Sequence, residues 1–350
     1  PGPSLRYDRA RALYALRRFD EAAAEAATLD GTRHTWAAAK LQARILLETG
    51  RFAEAQARRE IGQRPGDGHD EALYHALLAQ QKWDAAFAMD PMQLQFRALR
   101  ACLPRSAELR PTRQVGHRFV IADAGPGDEV QDASLYRELA SLSDHLTATC
   151  EPRLLSLLQR SMPSVDFIPT ARIGKGGFGD FAETEPPRAE NTLCDLLTSD
   201  AWGAAQAADS VVLGRSVKSV RDLSSGPAPV DAFLQPDHEL QEKARRRLES
   251  QPGPKVGVVW RSELHNLMRD IHYVDLKHLE PVFGLGARIA CLQHDIKDSE
   301  AEAIASMSGG ALLDIGDIDL RNDFESVAAL LASLDLVIGI GTTTTNLAAA

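Results

Sequence analysis

A short phrase of basic, aromatic and small residues recurs three times in the first hundred residues. The aromatic residues Phe19, Phe52 and Trp83 are 33 and 31 positions apart, and each phrase follows an amphipathic segment of helical period. A steady period of this length predicts pairs of antiparallel helices that stack on one another, with the aromatic residue at the start of the second helix. An unrelated helical bundle with a chance recurrence is the alternative.

The pattern changes after residue 115, where apolar strand-like runs begin to alternate with helical segments. The predicted strands are 119–122, 145–150, 165–168, 255–260, 288–292, 312–315 and 336–340. The predicted helices are 131–142, 153–160, 276–283, 299–307 and 323–333. This alternation indicates βαβ units and parallel sheets. We therefore expect helical repeats over 1–103, a linker over 104–115, and two Rossmann-like halves over 116–250 and 251–350 with a cleft between them.

Composition restricts the class of partner. The net charge of −10 argues against nucleic acid or an anionic membrane, because both attract basic surfaces. No apolar run approaches the ~20 residues that cross a bilayer. Cys102, Cys150, Cys194 and Cys291 lack metal-ligand spacing, which predicts reduced thiols in a cytoplasmic protein, and the ten histidines form no zinc motif.

The last predicted strand runs into a glycine and threonine turn that opens a helix, Gly341-Thr342-Thr343-Thr344-Thr345-Asn346. Such a turn presents unpaired backbone N–H groups and hydroxyls, which is how α/β domains hold phosphate. A threonine-rich helix cap without a ligand is the alternative. A glycine-rich run at 174–179 lacks the Walker spacing and is interpreted as a loop.

Several motifs occur together in a familiar order. They are Gly125-Pro126-Gly127-Asp128-Glu129, Glu151-Pro152-Arg153-Leu154, Val256 to Ser262, Leu292-Gln293, Asn322-Asp323-Phe324 and the terminal threonine run. In this order the chain resembles tetratricopeptide-repeat proteins that carry a GT-B glycosyltransferase domain, akin to the heptosyltransferase-like and O-GlcNAc-transferase-like families. The resemblance covers roughly residues 5–100 for the repeats and 116–350 for the transferase. It implies an α plus α/β architecture whose second Rossmann-like half is truncated, because family members continue further.

The resemblance also implies roles for individual residues. The first half would bind the acceptor, a protein or glycan, with Asp128 as the base on its hydroxyl and Glu129 beside it. The second half would bind a nucleotide-sugar without a metal. The residues expected to contact the nucleotide-sugar are Arg261, Ser262, Arg269, Gln293, Gly341, Thr342, Thr343, Thr344 and Asn346. Asp128 has an alternative role as a helix cap, and either arginine has one as a surface ion pair.

Two functions from different classes remain open at this point. One is a glycosyltransferase whose repeats recruit the acceptor or a protein partner. The other is a repeat scaffold with a decayed transferase domain. The second is favoured by Gly341 and Asn346, which stand where the family often has aspartate and histidine. A Rossmann dehydrogenase fits poorly, because Gly125-Pro126-Gly127 lacks the third glycine of that fingerprint.

Overall fold

The computed structural model describes residues 2–62, 70–89, 94–111, 114–170, 197–220 and 231–350. These residues form two compact units. The first contains the described residues up to Arg97 together with Asn266–Ile271, and the second contains the described remainder. The predicted loop at 174–179 and Cys194 lie outside the described residues. Within the described part, no helix is both long enough and apolar enough to cross a membrane.

The first unit is helical, and the second helix of each predicted pair begins at the aromatic residue of the recurring phrase. These starts are Phe19, Phe52 and Trp83. In chain order the helices are α1 (Pro3–Ala15), α2 (Phe19–Ala27), α3 (Thr35–Glu48), α4 (Phe52–Gly62), α5 (Glu71–Ala79), α6 (Trp83–Phe87) and α7 (Leu94–Cys102), with the boundary between units inside α7. The predicted helical pairs are therefore present. Their assignment to the tetratricopeptide family remains a prediction.

A left-handed turn recurs two residues before each aromatic residue. Arg17, Gly50 and Gln81 have φ angles of 58°, 74° and 59°. The residue after each turn donates its N–H to the carbonyl five positions back, over 2.9, 2.8 and 2.9 Å in the three turns. This is the hydrogen bond that closes a Schellman C-cap. The backbone therefore repeats at the same period as the sequence, including two positions where the left-handed residue is not glycine.

The second unit contains two parallel sheets. The first sheet has the strand order β3-β2-β1-β4, and the second has the order β6-β5-β7. The strands are β1 (Val115–Ile121), β2 (Ser143–Cys150), β3 (Val165–Pro169), β4 (Ser210–Leu213), β5 (Lys255–Val259), β6 (Arg288–Cys291) and β7 (Leu336–Gly339). Burial of Phe119, Val120 and Ile121 at 0% exposure shows that β1 lies inside the first sheet. Mixed α/β architecture with parallel sheets is thus confirmed.

The helices of the second unit follow the strands, as expected for βαβ connections. They are α8 (Pro126–Ala133), α9 (Tyr136–Ala140), α10 (Leu155–Ser161), α11 (Ser199–Ala207), α12 (His238–Glu249), α14 (Glu280–Phe283), α15 (Asp298–Ser308), α16 (Phe324–Leu331) and α17 (Thr343–Ala349). The short helix α13 (Leu267–Asp270) belongs to the first unit. One apolar core, which includes Val120, Leu146, Leu292 and Leu330, extends through both sheets of the second unit.

Four local predictions were wrong. The helix expected over 131–142 is two helices, α8 and α9, and it begins at Pro126, which is favourable at a first helical position. The strand β4 was missed, because it is only four residues long, with three apolar residues in a row, and shows no alternation. The segment 312–315 makes a single bridge at Leu312 instead of a strand, since Gly316 turns the chain with φ 78°. The predicted linker is partly in the sheet, because Ser106 and Glu108 exchange backbone hydrogen bonds with Val211.

Candidate functional site

Each sheet of the second unit has a point where the strand order reverses. In the first sheet, β1 lies between β2 and β4, and in the second sheet, β5 lies between β6 and β7. Parallel α/β sheets bind ligands beyond the carboxyl ends of the strands at such a reversal, because the two flanking loops diverge there and leave a crevice. Asp128 follows β1, and the glycine and threonine turn follows β7. Both predicted elements therefore lie at these positions.

Asp128 is exposed in the first turn of α8, which starts directly after the turn at Gly125. Its Oδ2 accepts a hydrogen bond from the N–H of Gly125 at 3.1 Å. The carboxylate therefore caps the helix, as the alternative interpretation predicted, and it remains accessible to solvent. The cap engages Oδ2, one of the two carboxylate oxygens. The geometry is therefore compatible with Asp128 as a helix cap and as a base.

The glycine and threonine turn begins α17 with a reciprocal cap. The hydroxyl of Thr342 accepts from the N–H of Thr345, and the hydroxyl of Thr345 accepts from the N–H of Thr342 at 2.8 Å. Thr343 and Thr344 are half-buried, and no contact within the described residues engages their hydroxyls. A side chain at Gly341 would meet nothing within 4 Å. The turn therefore presents two hydroxyls beside open space.

The two turns are in contact with each other. A Cβ on Gly127 would lie 2.8 Å from Nδ2 of Asn346 and 3.2 Å from Cα of Thr343, so a larger residue would require the Asn346 side chain to move and the two turns to separate by a few tenths of an ångström. Gln131 donates from Nε2 to Oδ1 of Asn346 at 3.1 Å. The residue after Gly127 is Asp128. The turn that carries the predicted base and the predicted phosphate turn therefore lie next to each other, although they are more than 200 residues apart in sequence.

Arg261, which was predicted to hold diphosphate, is instead occupied by protein groups. It is 5% exposed, and its guanidinium donates to Glu300 at 2.8 and 2.6 Å and to Asp295 at 2.5 Å. These hydrogen bonds lower the pKa of Glu300 to about 2 and raise the pKa of Arg261. The ion-pair alternative describes this arginine in the structure, although the pair is buried and not at the surface.

Of three further predicted site residues, two have protein partners and one belongs to the first unit. Glu129 is 3% exposed, and its Oε2 accepts from the N–H of Glu151 at 2.8 Å, so it holds the loop after β2. Gln293 is buried, accepts from the N–H of Arg261 and donates to Asp295. Arg269 is exposed in α13 of the first unit. Their predicted contacts with substrate stay predictions, and Glu129 is not part of the catalysis proposed below.

Arg321 and His294, which no sequence motif marks, both contact the loop that follows β5. Ser262 is half-buried after β5, and the next residue, Glu263, pairs with Arg321 at 2.8 Å and with His294 at 3.5 Å. His294 comes three residues after β6, and Arg321 precedes the cap of α16. His294 could have been proposed from the sequence, because it directly follows Gln293, which was a predicted site residue. No sequence pattern marks Arg321, because its partner is 58 residues away.

Comparison with known proteins finds similarity to a curated protein and to solved structures, and no protein-family profile matches the chain. Protein FlbA of Caulobacter vibrioides is 30% identical over 241 residues, which are 67% of this chain and 38% of FlbA. The chain therefore spans well under half the length of this curated relative.

Two solved structures are similar in fold at low scores. A glycosyl transferase family 9 protein from Veillonella parvula has a TM-score of 0.41 at 11% identity, with 69% of this chain and 79% of that chain covered. The E. coli heptosyltransferase WaaC with ADP-2-deoxy-2-fluoro heptose has a TM-score of 0.38 at 14% identity, with 67% and 85% covered.

Proposed function

We propose that the second unit transfers a sugar from a nucleotide-sugar to an acceptor hydroxyl, in the manner of a GT-B glycosyltransferase. The observation that carries this proposal is the contact between the turn of Asp128 and the turn of Thr343. Sugar transfer needs a base at the acceptor hydroxyl and a donor site for the diphosphate within a few ångströms of each other. The exposed carboxylate of Asp128 is the proposed base, and the hydroxyls of Thr343 and Thr344 on the contacting turn are the proposed donor site.

In the proposed reaction the acceptor oxygen attacks the anomeric carbon as the bond from that carbon to the diphosphate breaks. Asp128 takes the proton of the acceptor hydroxyl. The hydroxyls of Thr343 and Thr344 donate to the departing diphosphate, and Gly341 leaves room for it. Arg261 is committed to Glu300 and Asp295, so these two hydroxyls are the groups assigned to the developing negative charge of the diphosphate. The proposal requires no metal for these steps.

The helical unit has a separate proposed role. Its stacked helix pairs would recruit a protein or glycan acceptor, or another protein partner, to the transferase unit. This role rests on the architecture of stacked pairs and on the resemblance of the sequence. Binding of the acceptor by residues 1–103 alone, and its loss when they are removed, would support it.

A repeat scaffold with an inactive transferase unit is the second candidate. Two observations favour it. Gly341 and Asn346 replace residues that the resembling families use, and Asn346 is engaged with Gln131 instead of facing a ligand. The guanidinium of Arg261 is also held by two carboxylates. This candidate predicts that no nucleotide binds to the second unit.

A thermal-shift panel of UDP, GDP, ADP and CDP separates the two candidates. The protein should be stabilised by one nucleotide, by about 2.7 kcal/mol when the ligand is at 100 times its Kd. Thr343→Val should reduce the shift, because it removes a hydroxyl that no described protein group uses. Thr28→Val, at the end of α2 in the other unit, is the matched control and should leave the shift unchanged. The absence of a shift with all four nucleotides would favour the scaffold.

A further inference from the structure

A hydrogen bond between two side-chain amides joins α8 to α17, one helical turn along from the groups proposed to react. Gln131 follows Asp128 by three residues on α8, and Asn346 follows Thr343 by three residues on α17. Residues three apart on an α-helix are neighbours on its surface. Nε2 of Gln131 donates to Oδ1 of Asn346 at 3.1 Å. This bond therefore connects the two helices beside the proposed base and beside the first of the two proposed donor hydroxyls.

The Asn346 side chain fits between the two turns. Gly127 is buried in the first turn of α8, and a Cβ there would lie 2.8 Å from Nδ2 of Asn346 and 3.3 Å from the backbone nitrogen of Thr343. Both ends of the Asn346 carboxamide therefore face α8, Oδ1 through the hydrogen bond with Gln131 and Nδ2 through its approach to Gly127. This side chain thus limits how close the two turns come and also holds them together.

The remainder of α17 is held in place by other groups. Leu347 is 5% exposed and packs in the apolar core of the second unit. At the end of the helix, the carbonyl of Ala350 accepts from the N–H groups of Phe233 and Leu234 at 2.7 and 3.0 Å. Loss of the hydrogen bond between the two amides should therefore leave α17 folded on the core and loosen mainly the contact of its first turn with α8.

We propose that Gln131 and Asn346, the amide pair, set the spacing between the turn of Asp128 and the glycine and threonine turn, and are positioning residues for sugar transfer. Transfer is sensitive to this spacing, because a misplacement of about 1 Å can lower a rate about 100-fold. Asn346 stands where the resembling families often have histidine, and the amide pair gives asparagine a role at that position. The link to transfer rests on the proposed function, whereas the spacing of the two turns does not.

Kinetics of Gln131→Ala, Asn346→Ala and the double variant test the amide pair. Each single change should lower kcat about tenfold and leave the KM for the nucleotide-sugar within about threefold, because neither residue holds the donor in the proposed reaction. The double variant should also lose about tenfold instead of about 100-fold, because both changes remove the same hydrogen bond. Gln114→Ala is the matched control. It removes a hydrogen bond from Nε2 to the carbonyl of Ser141 at 2.6 Å, at the amino end of β1, and should leave kcat unchanged.

Gly127→Ala changes the same spacing by adding bulk instead of removing a hydrogen bond. Alanine favours helix more than glycine does, so the change should not weaken α8 itself. The added Cβ would press on the Asn346 side chain and on the backbone of Thr343, so the two turns must move apart by a few tenths of an ångström. The kcat of this variant should therefore fall about tenfold, as in the two single alanine variants, with the KM for the nucleotide-sugar again within about threefold.

Hydrogen–deuterium exchange without any ligand separates failure of this inference from failure of the proposed function. Exchange in 125–131 and 341–347 should be faster in Asn346→Ala than in the original protein, and unchanged in Gln114→Ala. Unchanged exchange in Asn346→Ala, or a kcat in Gln131→Ala equal to that of the original protein, would overturn the role of the amide pair and leave the transferase standing. A nucleotide panel without any shift, together with faster exchange in Asn346→Ala, would leave the spacing role standing and refute the transferase.

Discussion

Replacement of Asp128 by asparagine should lower sugar transfer at least about 100-fold, which is the lower end of what a positioned general base contributes. Asparagine keeps an oxygen that can accept the N–H of Gly125, so the start of α8 should be preserved. It cannot take a proton from the acceptor hydroxyl. Nucleotide binding should stay within about twofold, since that site is assigned to the second sheet. Transfer is measured as turnover of the nucleotide-sugar whose nucleotide stabilised the protein. Nucleotide binding is measured by the thermal shift with the corresponding nucleoside diphosphate.

The matched control for this change is Asp237→Asn. Asp237 caps α12 by accepting the N–H groups of Glu239 and Leu240, each at 3.0 Å, so it has a capping role without a proposed chemical one. Its replacement should leave transfer unchanged. Unchanged turnover in Asp128→Asn would remove Asp128 from the mechanism and leave it with the cap alone. A comparable loss in both variants would show that capping, and not proton transfer, limits the activity.

Replacement of Glu300 by glutamine should destabilise the second unit by about 3 kcal/mol, the order expected when a buried ion pair loses one partner. Glu300 accepts from the guanidinium of Arg261, from Trp260 Nε1 at 2.9 Å and from the N–H of Lys297 at 2.8 Å. Glutamine leaves the positive charge of Arg261 with Asp295 as its remaining carboxylate. Denaturant unfolding measures the difference. Glu302→Gln, exposed on the same helix α15, should change stability by less than about 0.5 kcal/mol.

The effect of Glu300 should depend on pH in a defined direction. Its pKa is lowered to about 2 in the folded protein, chiefly by the hydrogen bonds from Arg261, from an ordinary value of 4.5. A lowered carboxyl pKa gives stability that is complete above the ordinary pKa and is lost as the pH falls through the folded pKa. The stability difference between the original protein and Glu300→Gln should therefore be constant above pH 5.5 and shrink towards pH 2. A difference that grows on acidification would contradict this account of the pair.

Long-period features of the fold were predictable from the sequence. The helix starts at Phe19, Phe52 and Trp83 follow from a repeated phrase, and six of the seven strands from apolar runs bounded by turn residues. The exceptions have local causes. The strand β4 is too short to show a period. The segment at 312–315 is apolar enough for a strand. However, the carboxylate of Asp314 accepts a hydrogen bond from Arg247, its N–H donates to the side chain of Gln251, and Gly316 turns the chain.

The site was predictable in position but only partly in residues. Asp128 and the threonine turn were predicted because each lies in a segment that connects a strand to a helix, and their roles remain predictions. Arg261 has the same sequence signal, yet Glu300, 39 residues later, occupies it. Such long-range pairs leave no pattern in a single sequence. The same reason hides Arg321, whose partner Glu263 is 58 residues away in the sequence.

Hydrogen–deuterium exchange with and without the stabilising nucleoside diphosphate tests the central claim most directly. The claim is that the turn of Asp128 and the glycine and threonine turn form one site. The account predicts slower exchange on binding in both 125–131 and 341–347, with little change in the helices of the first unit. Slower exchange confined to a region outside both turns would contradict it, because the nucleotide would then bind elsewhere.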